Sequence, residues 1–401
     1  MVNNDKEIAR LKDWKNVVKT YSLKISKILK KNQTVFYSIS SVSSDKKINP
    51  YTTPIRLSGN KVIAGCIVGS QIEALIVANY VESSIDYLLL DVEKKIPIQN
   101  IPHEEVFLAF NLKKALYIEN SRTASGVEFG NISSAVRKTF PSQKIISYKP
   151  NDLTIDSIWF FLSHKFGNFA NLKIAIIGSG NIGFKLALKL VESGAYVNLN
   201  RRDKVLGLQL ASTINSIKPK NTLANAEYYE DPVRTCTLCD VVIGTGKTDI
   251  LIINERMVSV RAKGGTLIDC GKGNITEGAI NYAYELGLKI FRSDVTSGII
   301  SFVDQAIMIK KIINNKTGRK LLKDDMYIVS GGVYGRYGDV IVDDFDSPET
   351  IYGMADGRGQ LIEKLTNLQL KKIKDVSNYF NINQQFSKTY KWLLIKKGKF
   401  L

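Results

Sequence analysis

The sequence predicts an α/β fold of two domains, each built on a mostly parallel sheet, followed by a C-terminal extension. Three observations carry this expectation. Apolar runs of strand length alternate with helix-length amphipathic segments, first between Thr34 and Tyr148 and again from Lys173 onward. That alternation is the signature of parallel strands joined by helices. A glycine-rich loop, Gly178-Ser179-Gly180-Asn181-Ile182-Gly183, lies between one such strand and the helix after it. Beyond Ser330 the pattern changes to a stretch rich in glycine and acidic residues. The expected boundaries are an α/β domain over 1–150, a connecting helix over 151–170, a second α/β domain over 171–330 and an extension over 331–401.

Residues 1–32 read as one or two basic amphipathic helices, with Ile8, Leu11, Trp14, Val17, Val18 and Tyr21 on one face. TVFYSIS and KVIAGCIVGS read as strands, QIEALIVANYVESS as a helix and DYLLLDV as a strand. HEEVFLAFNLKKA then reads as a helix, ALYIEN as a strand, GVEFGNISSAVRKTF as a helix and KIISY as a strand. Thr154 is placed to cap a helix carrying Ile155, Ile158, Trp159 and Leu162, which would join the two domains. DVVIGTG, GTLIDCGKG and LKIFRSDV supply three more strand-and-turn segments, and IISFVDQAIMIKKII a helix. The extension reads as short strands and turns, then a basic helical tail.

The second domain carries the most specific signal. Ile174–Ile177 is a continuous apolar run, suited to a strand buried on both faces. The loop after it fits G-x-G-x-x-G: Gly178 for the tight turn, Gly180 for close approach of backbone to a pyrophosphate, Gly183 for helix–strand packing. The following helix offers N-terminal N–H groups and the positive end of its dipole to a phosphate. Ser179, Asn181 and Ile182 complete the expected cradle of a Rossmann dinucleotide-binding domain. The second strand ends on Asn200-Arg201-Arg202, where an NAD site usually carries an acid for the ribose hydroxyls. Asn200 is uncharged, and Arg201 and Arg202 offer forked donors to a 2′-phosphate. The cofactor expected is therefore NADP. Thr245, Gly246 and Gly271 each follow a strand at the same edge and are expected to line the nucleotide.

Composition sets the outer limits. The chain has 44% hydrophobic and 23% charged residues and a formal charge of +18. Residues 1–48 hold 11 Lys/Arg against 4 acids, and residues 360–401 hold 9 against 2. Such basic ends suit an acidic partner or surface, but no specific nucleic-acid motif accompanies them. No apolar run is long enough to span a membrane and no signal peptide is visible at the start, so a cytoplasmic protein is expected. Cys236 and Cys239 form a lone C-x-x-C in a chain with two histidines, and no metal site is expected. Asp339, Asp343, Asp344 and Asp346 have the residue types of a metal cluster, but the alternating Val340 and Val342 favour a strand running into an acidic turn. A homo-oligomer is compatible with this composition.

IIGSGNIG followed by NLNRRD is similar to the glycine loop and Asn-Arg-Thr segment of NADP-dependent shikimate and quinate dehydrogenases. Glutamyl-tRNA reductases share this pattern, and CDVVIGTGKTDILI with GTLIDCGKG resembles strands of methylenetetrahydrofolate dehydrogenases. The resemblance spans about 150–330 and leaves the first domain unmatched. It implies a catalytic domain ahead of the cofactor domain, with the active site in the cleft between them. DLTIDSIWFFL resembles the family segment preceding the linking helix and puts Asp156 on its acidic position. SGIISFVDQAI resembles the segment leading to a substrate-contacting glutamine and puts Gln305 there. In PYTTPIR, Arg56 stands where the family has its catalytic lysine, so that residue is not carried over.

Two readings of function follow. In the first, the chain is an NADP-dependent oxidoreductase moving a hydride to or from a small hydroxy, keto, amine or imine substrate in the interdomain cleft. Ser121, Arg122 and Thr123, at an expected strand end, would bind that substrate, or else form a helix-capping turn. Asp156 would relay a proton, or else be a first-turn helix acid. In the second reading the chain is a non-catalytic nucleotide sensor or assembly protein that docks through its basic termini.

Overall fold

The computed structural model describes residues 2–42, 48–93, 95–96, 103–113, 132–313, 318–323, 325–330, 332–344 and 346–383. The substrate residues expected at Ser121, Arg122 and Thr123 lie outside the described residues. The chain divides into two compact units, Met1–Ile300 and Ser301–Leu401.

The first unit contains two α/β layers. Its first sheet has the strands β1 (Thr34–Ser41), β2 (Tyr51–Thr52), β3 (Arg56–Ser58), β4 (Lys61–Val68), β5 (Tyr87–Asp91) and β6 (Ile145–Tyr148). The order is β2-β4-β1-β5-β6, with β3 also on β4. β4, β1, β5 and β6 run parallel, and only the short β2 and β3 are antiparallel. β1 and β4 are buried along nearly their whole length, which is why they read as apolar runs without alternation. The long first helix, Val2–Ile28, seals one face of this sheet through Leu11, Trp14, Val18, Tyr21 and Ile25. Val17, expected on that face, is instead 46% exposed: Ile25 extends the stripe in its place, keeping the three-to-four-residue spacing.

The connecting helix spans Pro150–Phe166. It starts before the expected Thr154 cap because Pro150 occupies its first turn, where a missing N–H costs nothing. Thr154 is inside the helix, its hydroxyl donating to the Pro150 carbonyl. Ile155, Ile158 and Leu162 pack into the core of the second sheet, and the Trp159 indole donates to Ser193 Oγ at 2.9 Å.

The second sheet comprises β7 (Lys173–Ile177), β8 (Tyr196–Asn200), β9 (Ala226–Tyr228), β10 (Val241–Gly244), β11 (Thr266–Asp269) and β12 (Lys289–Arg292). Its order is β12-β11-β10-β7-β8-β9, all parallel. This is the doubly wound Rossmann arrangement, whose strand order reverses between β7 and β10. Separate apolar cores cover its two faces. The parallel α/β class read from the sequence is the class observed.

The second unit holds an antiparallel-rich sheet of β13 (Gly318–Lys323), β14 (Met326–Ser330), β15 (Val340–Val342) and β16 (Ile351–Met354). This sheet straddles residue 330, so its first two strands come earlier in the chain than the expected extension. The helix Asn367–Tyr379 follows, opened by a Thr366/Gln369 capping box. Asp339 accepts both guanidinium donors of Arg319. Asp343 and Asp344 accept turn N–H groups, so these acids organise a turn.

Candidate functional site

The site is built where the second sheet reverses its order. Gly178 follows β7 with φ +93, a conformation that costs a side-chain-bearing residue roughly 1–2 kcal/mol. A Cβ there would also lie 3.0 Å from Gly246 N. A Cβ on Gly183 would lie 2.7 Å from Thr245 Oγ1 and 3.1 Å from Ile176 Cγ2. Both positions are glycine because the protein's own atoms crowd them. Gly180 is different: its φ is −88 and an added Cβ would meet only the Gly178 carbonyl, at 3.9 Å. The space above Gly180 is open, as a pyrophosphate lying on the backbone requires.

The helix Asn181–Glu192 begins at Gly180 with no side-chain cap, and its first residue, Asn181, is exposed. The N–H groups of its first turn remain for a ligand at the positive end of the helix. Ile182 is half-buried against the sheet core. Ser179 is fully buried, its hydroxyl donating to the Asn200 carbonyl at 3.0 Å. The same carbonyl accepts from Gly178 N and Ser179 N, both at 3.1 Å. Asn200 therefore ties the loop to β8 with its backbone. Its side-chain amide donates to the Tyr229 and Glu230 carbonyls at the end of β9.

Arg201 and Arg202 separate into two roles. Arg201 Nη1 donates to the Ser179 carbonyl at 2.8 Å, while its Nε is buried with no partner. Tyr228 holds the Arg201 backbone through a hydroxyl bond of 3.0 Å to its carbonyl. Arg201 thus braces the glycine loop. Arg202 is exposed and makes no ion pair among the described residues, so of the two it is the guanidinium free to meet a 2′-phosphate.

The residues expected to line the nucleotide from β10 and β11 are braces as well. Thr245 is 9% exposed and its hydroxyl donates to the Gly178 carbonyl at 2.8 Å. Gly246 N donates to Asn274 Oδ1 at 2.8 Å. A Cβ on Gly271 would lie 2.1 Å from that same Oδ1, so Asn274 alone requires glycine at this position. Asn274 is fully buried and donates to the Lys247 and Ile250 carbonyls. Asp269, at the end of β11, accepts from Lys272 N, Gly273 N and Asn274 N. Asp269 and Asn274 are residues that sequence reasoning missed. Their signal was the acid and amide flanking the turn in DCGKGN, both residue types that satisfy backbone groups.

Asp156 does not reach this edge. It pairs with Lys189, just as Asp152 pairs with Lys185 at 2.6 Å, in a ladder between the connecting helix and the glycine-loop helix. Lys189 is eight residues beyond Asn181, about 12 Å down that helix at 1.5 Å per residue. The relay role implied by resemblance gives way to interhelical packing. Gln305 lies in the second unit, exposed on the helix Thr296–Lys311.

Cys236 and Cys239 are buried thiols. Burial, then the Asp240 charge, pushes Cys239 up to about 12. Among the described residues no group of His, Cys, Asp or Glu has the arrangement of a metal site, and no helix is long and apolar enough to cross a membrane.

No protein-family profile and no curated protein matches the sequence. Solved structures match parts of the chain in shape. A dipicolinate synthase from Bacillus halodurans is 12% identical with a TM-score of 0.32, over 70% of this chain and 98% of that one. Glutamyl-tRNA reductase from Methanopyrus kandleri is 14% identical with a TM-score of 0.31, over 53% of this chain and 48% of that one. A Pyrobaculum aerophilum protein named as a formate dehydrogenase is 14% identical with a TM-score of 0.26, over 37% of this chain. The chain spans about half the length of that protein, 54%.

Proposed function

We propose that the chain is an NADP-dependent oxidoreductase that moves a hydride to or from a small polar substrate. The observation that carries this reading is the contrast inside one loop. Gly178 and Gly183 are crowded by protein atoms, while Gly180 faces open space beside an uncapped helix N-terminus. A loop that only turned the chain would have no reason to keep Gly180 bare at a φ of −88 that any residue adopts. The pyrophosphate would rest on Gly180, Asn181 and Ile182, and Arg202 would take the 2′-phosphate. Arg201 would hold the Ser179 backbone in place beneath it.

Bound at this edge, the cofactor would supply hydride transfer. The protein's part is to fix the loop that orients the nucleotide, through Thr245, Asn200 and Arg201, and to keep β7 and β10 dry beneath it. Titration of the chain with NADPH and NADH, followed by nicotinamide fluorescence, tests the reading. NADPH is expected to bind more tightly, and turnover is expected with some member of a panel of small ketones, hydroxy acids and imines. Absence of binding by both nucleotides would overturn it.

A further inference from the structure

We propose that Arg56, Lys272 and Arg292 form an anion subsite between the two sheets of the first unit, built to hold a carboxylate of the substrate. The assignment of this anion as a substrate rests on the oxidoreductase reading above; the subsite itself does not.

Three strands deliver these cations to one seam. Arg56 opens β3 of the first sheet, and its Nε donates to Thr296 Oγ1 at 2.8 Å, beyond the end of β12. Arg292 is the last residue of β12 and pairs in register with Asp269 of β11. Lys272 sits three residues beyond Asp269, on the turn that Asp269 caps. The seam is thus the carboxyl edge of the second sheet, on the β11–β12 side of the glycine loop. That edge is where open α/β sheets take their ligands.

Two independent observations indicate that the cluster is held for a ligand. First, none of the three cations forms an ion pair among the described residues. Their mutual repulsion is felt: burial first, then Arg292 and Arg56, push the Lys272 ammonium below the usual lysine range. Asp294 is an acid that feels the Arg56 charge. It is engaged by the Thr296 hydroxyl and N–H, with Arg56 a weaker influence on it. Arg56 and Lys272 are half-buried and Arg292 is exposed. The Asp249 carboxylate lies beside the same turn, 3.1 Å from where a Cβ on Gly273 would stand, but it pairs with none of the three among the described residues. Like charges gathered this way cost stability that an anion would recover. Second, Lys272 has φ +62, a left-handed conformation uncommon outside glycine and asparagine. The Asp269 carboxylate holds it there by accepting from Lys272 N and Gly273 N at 2.9 and 2.7 Å. Backbone held in such a region by its surroundings is typical of ligand-gripping turns. Arg56 also donates through Nη1 to the Pro54 carbonyl. Two guanidinium groups and an ammonium delivered to one sheet edge supply the donors that the two oxygens of a carboxylate accept.

The test is calorimetric titration of the full chain with malonate and, separately, with inorganic phosphate, each with and without saturating NADPH. The wild type is expected to bind malonate in preference to phosphate, and Arg56→Gln, Lys272→Met and Arg292→Gln each to weaken it about ten-fold or more. Lys272→Met is also expected to raise the melting temperature of the ligand-free protein, because it removes the repelled charge; a purely structural lysine would lower it. NADPH affinity, measured in the same variants, reports the glycine loop separately. Malonate binding with no NADPH binding would keep the subsite and sink the cofactor reading. Equal malonate affinity in wild type and folded variants, or a preference for phosphate, would overturn the carboxylate subsite.

Discussion

The two sheets of the first unit present their carboxyl edges in opposite ways. In the first sheet, strand order reverses between β1 and β5, and Asp91 lies there fully buried. Ser41 N, Ser41 Oγ, Ser40 Oγ, Lys95 Nζ and Glu93 N all donate to its carboxylate. In the second sheet the reversal lies between β7 and β10. The N–H groups of Gly178, Ser179 and Gly180 are taken up by the Asn200 and Gly178 carbonyls, but the first-turn N–H groups of the helix after Gly180 meet no side-chain cap. Both edges obey the rule that places ligands at a switch point, yet at Asp91 a carboxylate gathers the protein's own donors and at the helix after Gly180 no side chain caps the first turn. Topology therefore nominates an edge, and the hydrogen-bond inventory decides whether that edge is a brace or a site.

The sharpest way to break this comparison is Gly180→Val. A Cβ at this position meets only the Gly178 carbonyl, at 3.9 Å, so stability should fall by no more than about 1 kcal/mol, the cost of a poor N-cap. NADPH binding should be lost entirely. A thermal melt beside a fluorescence titration checks both, and retained affinity would mean that the space above Gly180 holds something else.

Gly183→Val should do the reverse. Its Cβ would collide with Thr245 and Ile176, and overpacking of this kind costs about 1–3 kcal/mol. Denaturant unfolding should show that loss even without nucleotide. On the first sheet, Asp91→Ala should cost about 2 kcal/mol by stranding buried donors and leave NADPH affinity unchanged. Burial raises the Asp91 pKa more than Lys95 lowers it, so Asp91→Asn should be the milder change. A loss of nucleotide binding in either Asp91 variant would show that the first edge is not merely a brace.

How much of this was legible in the sequence follows the range of the interactions. The glycine loop, its strand and its helix form one local unit, and each glycine can be assigned a reason from spacing alone. The parallel strands were legible because burial on both faces writes a continuous apolar run. β2 and β3 were not, since segments of two and three residues carry no period. Arg201 was legible as a cation but not as a brace, because its acceptor is a backbone carbonyl that no sequence displays. Asp156 lost its expected role to Lys189 on a neighbouring helix, 33 residues on. The seam cations were the least visible: Arg56 meets Thr296 across 240 residues, and only the folded chain brings them together.

The central claim is that the edge beside Gly180 is built for a dinucleotide carrying a 2′-phosphate, with Arg202 as its reader. Calorimetric comparison of 2′,5′-ADP with 5′-AMP tests it most directly, because the two ligands differ at the ribose and share the adenine half. Binding of 2′,5′-ADP is expected to be tighter by about 1.5–3 kcal/mol, the size of a charge-assisted contact. That margin should collapse in Arg202→Ala, whereas Arg201→Ala should weaken both ligands together by loosening the loop. Equal affinities for the two ligands in the wild type, or a margin that survives Arg202→Ala, would contradict it.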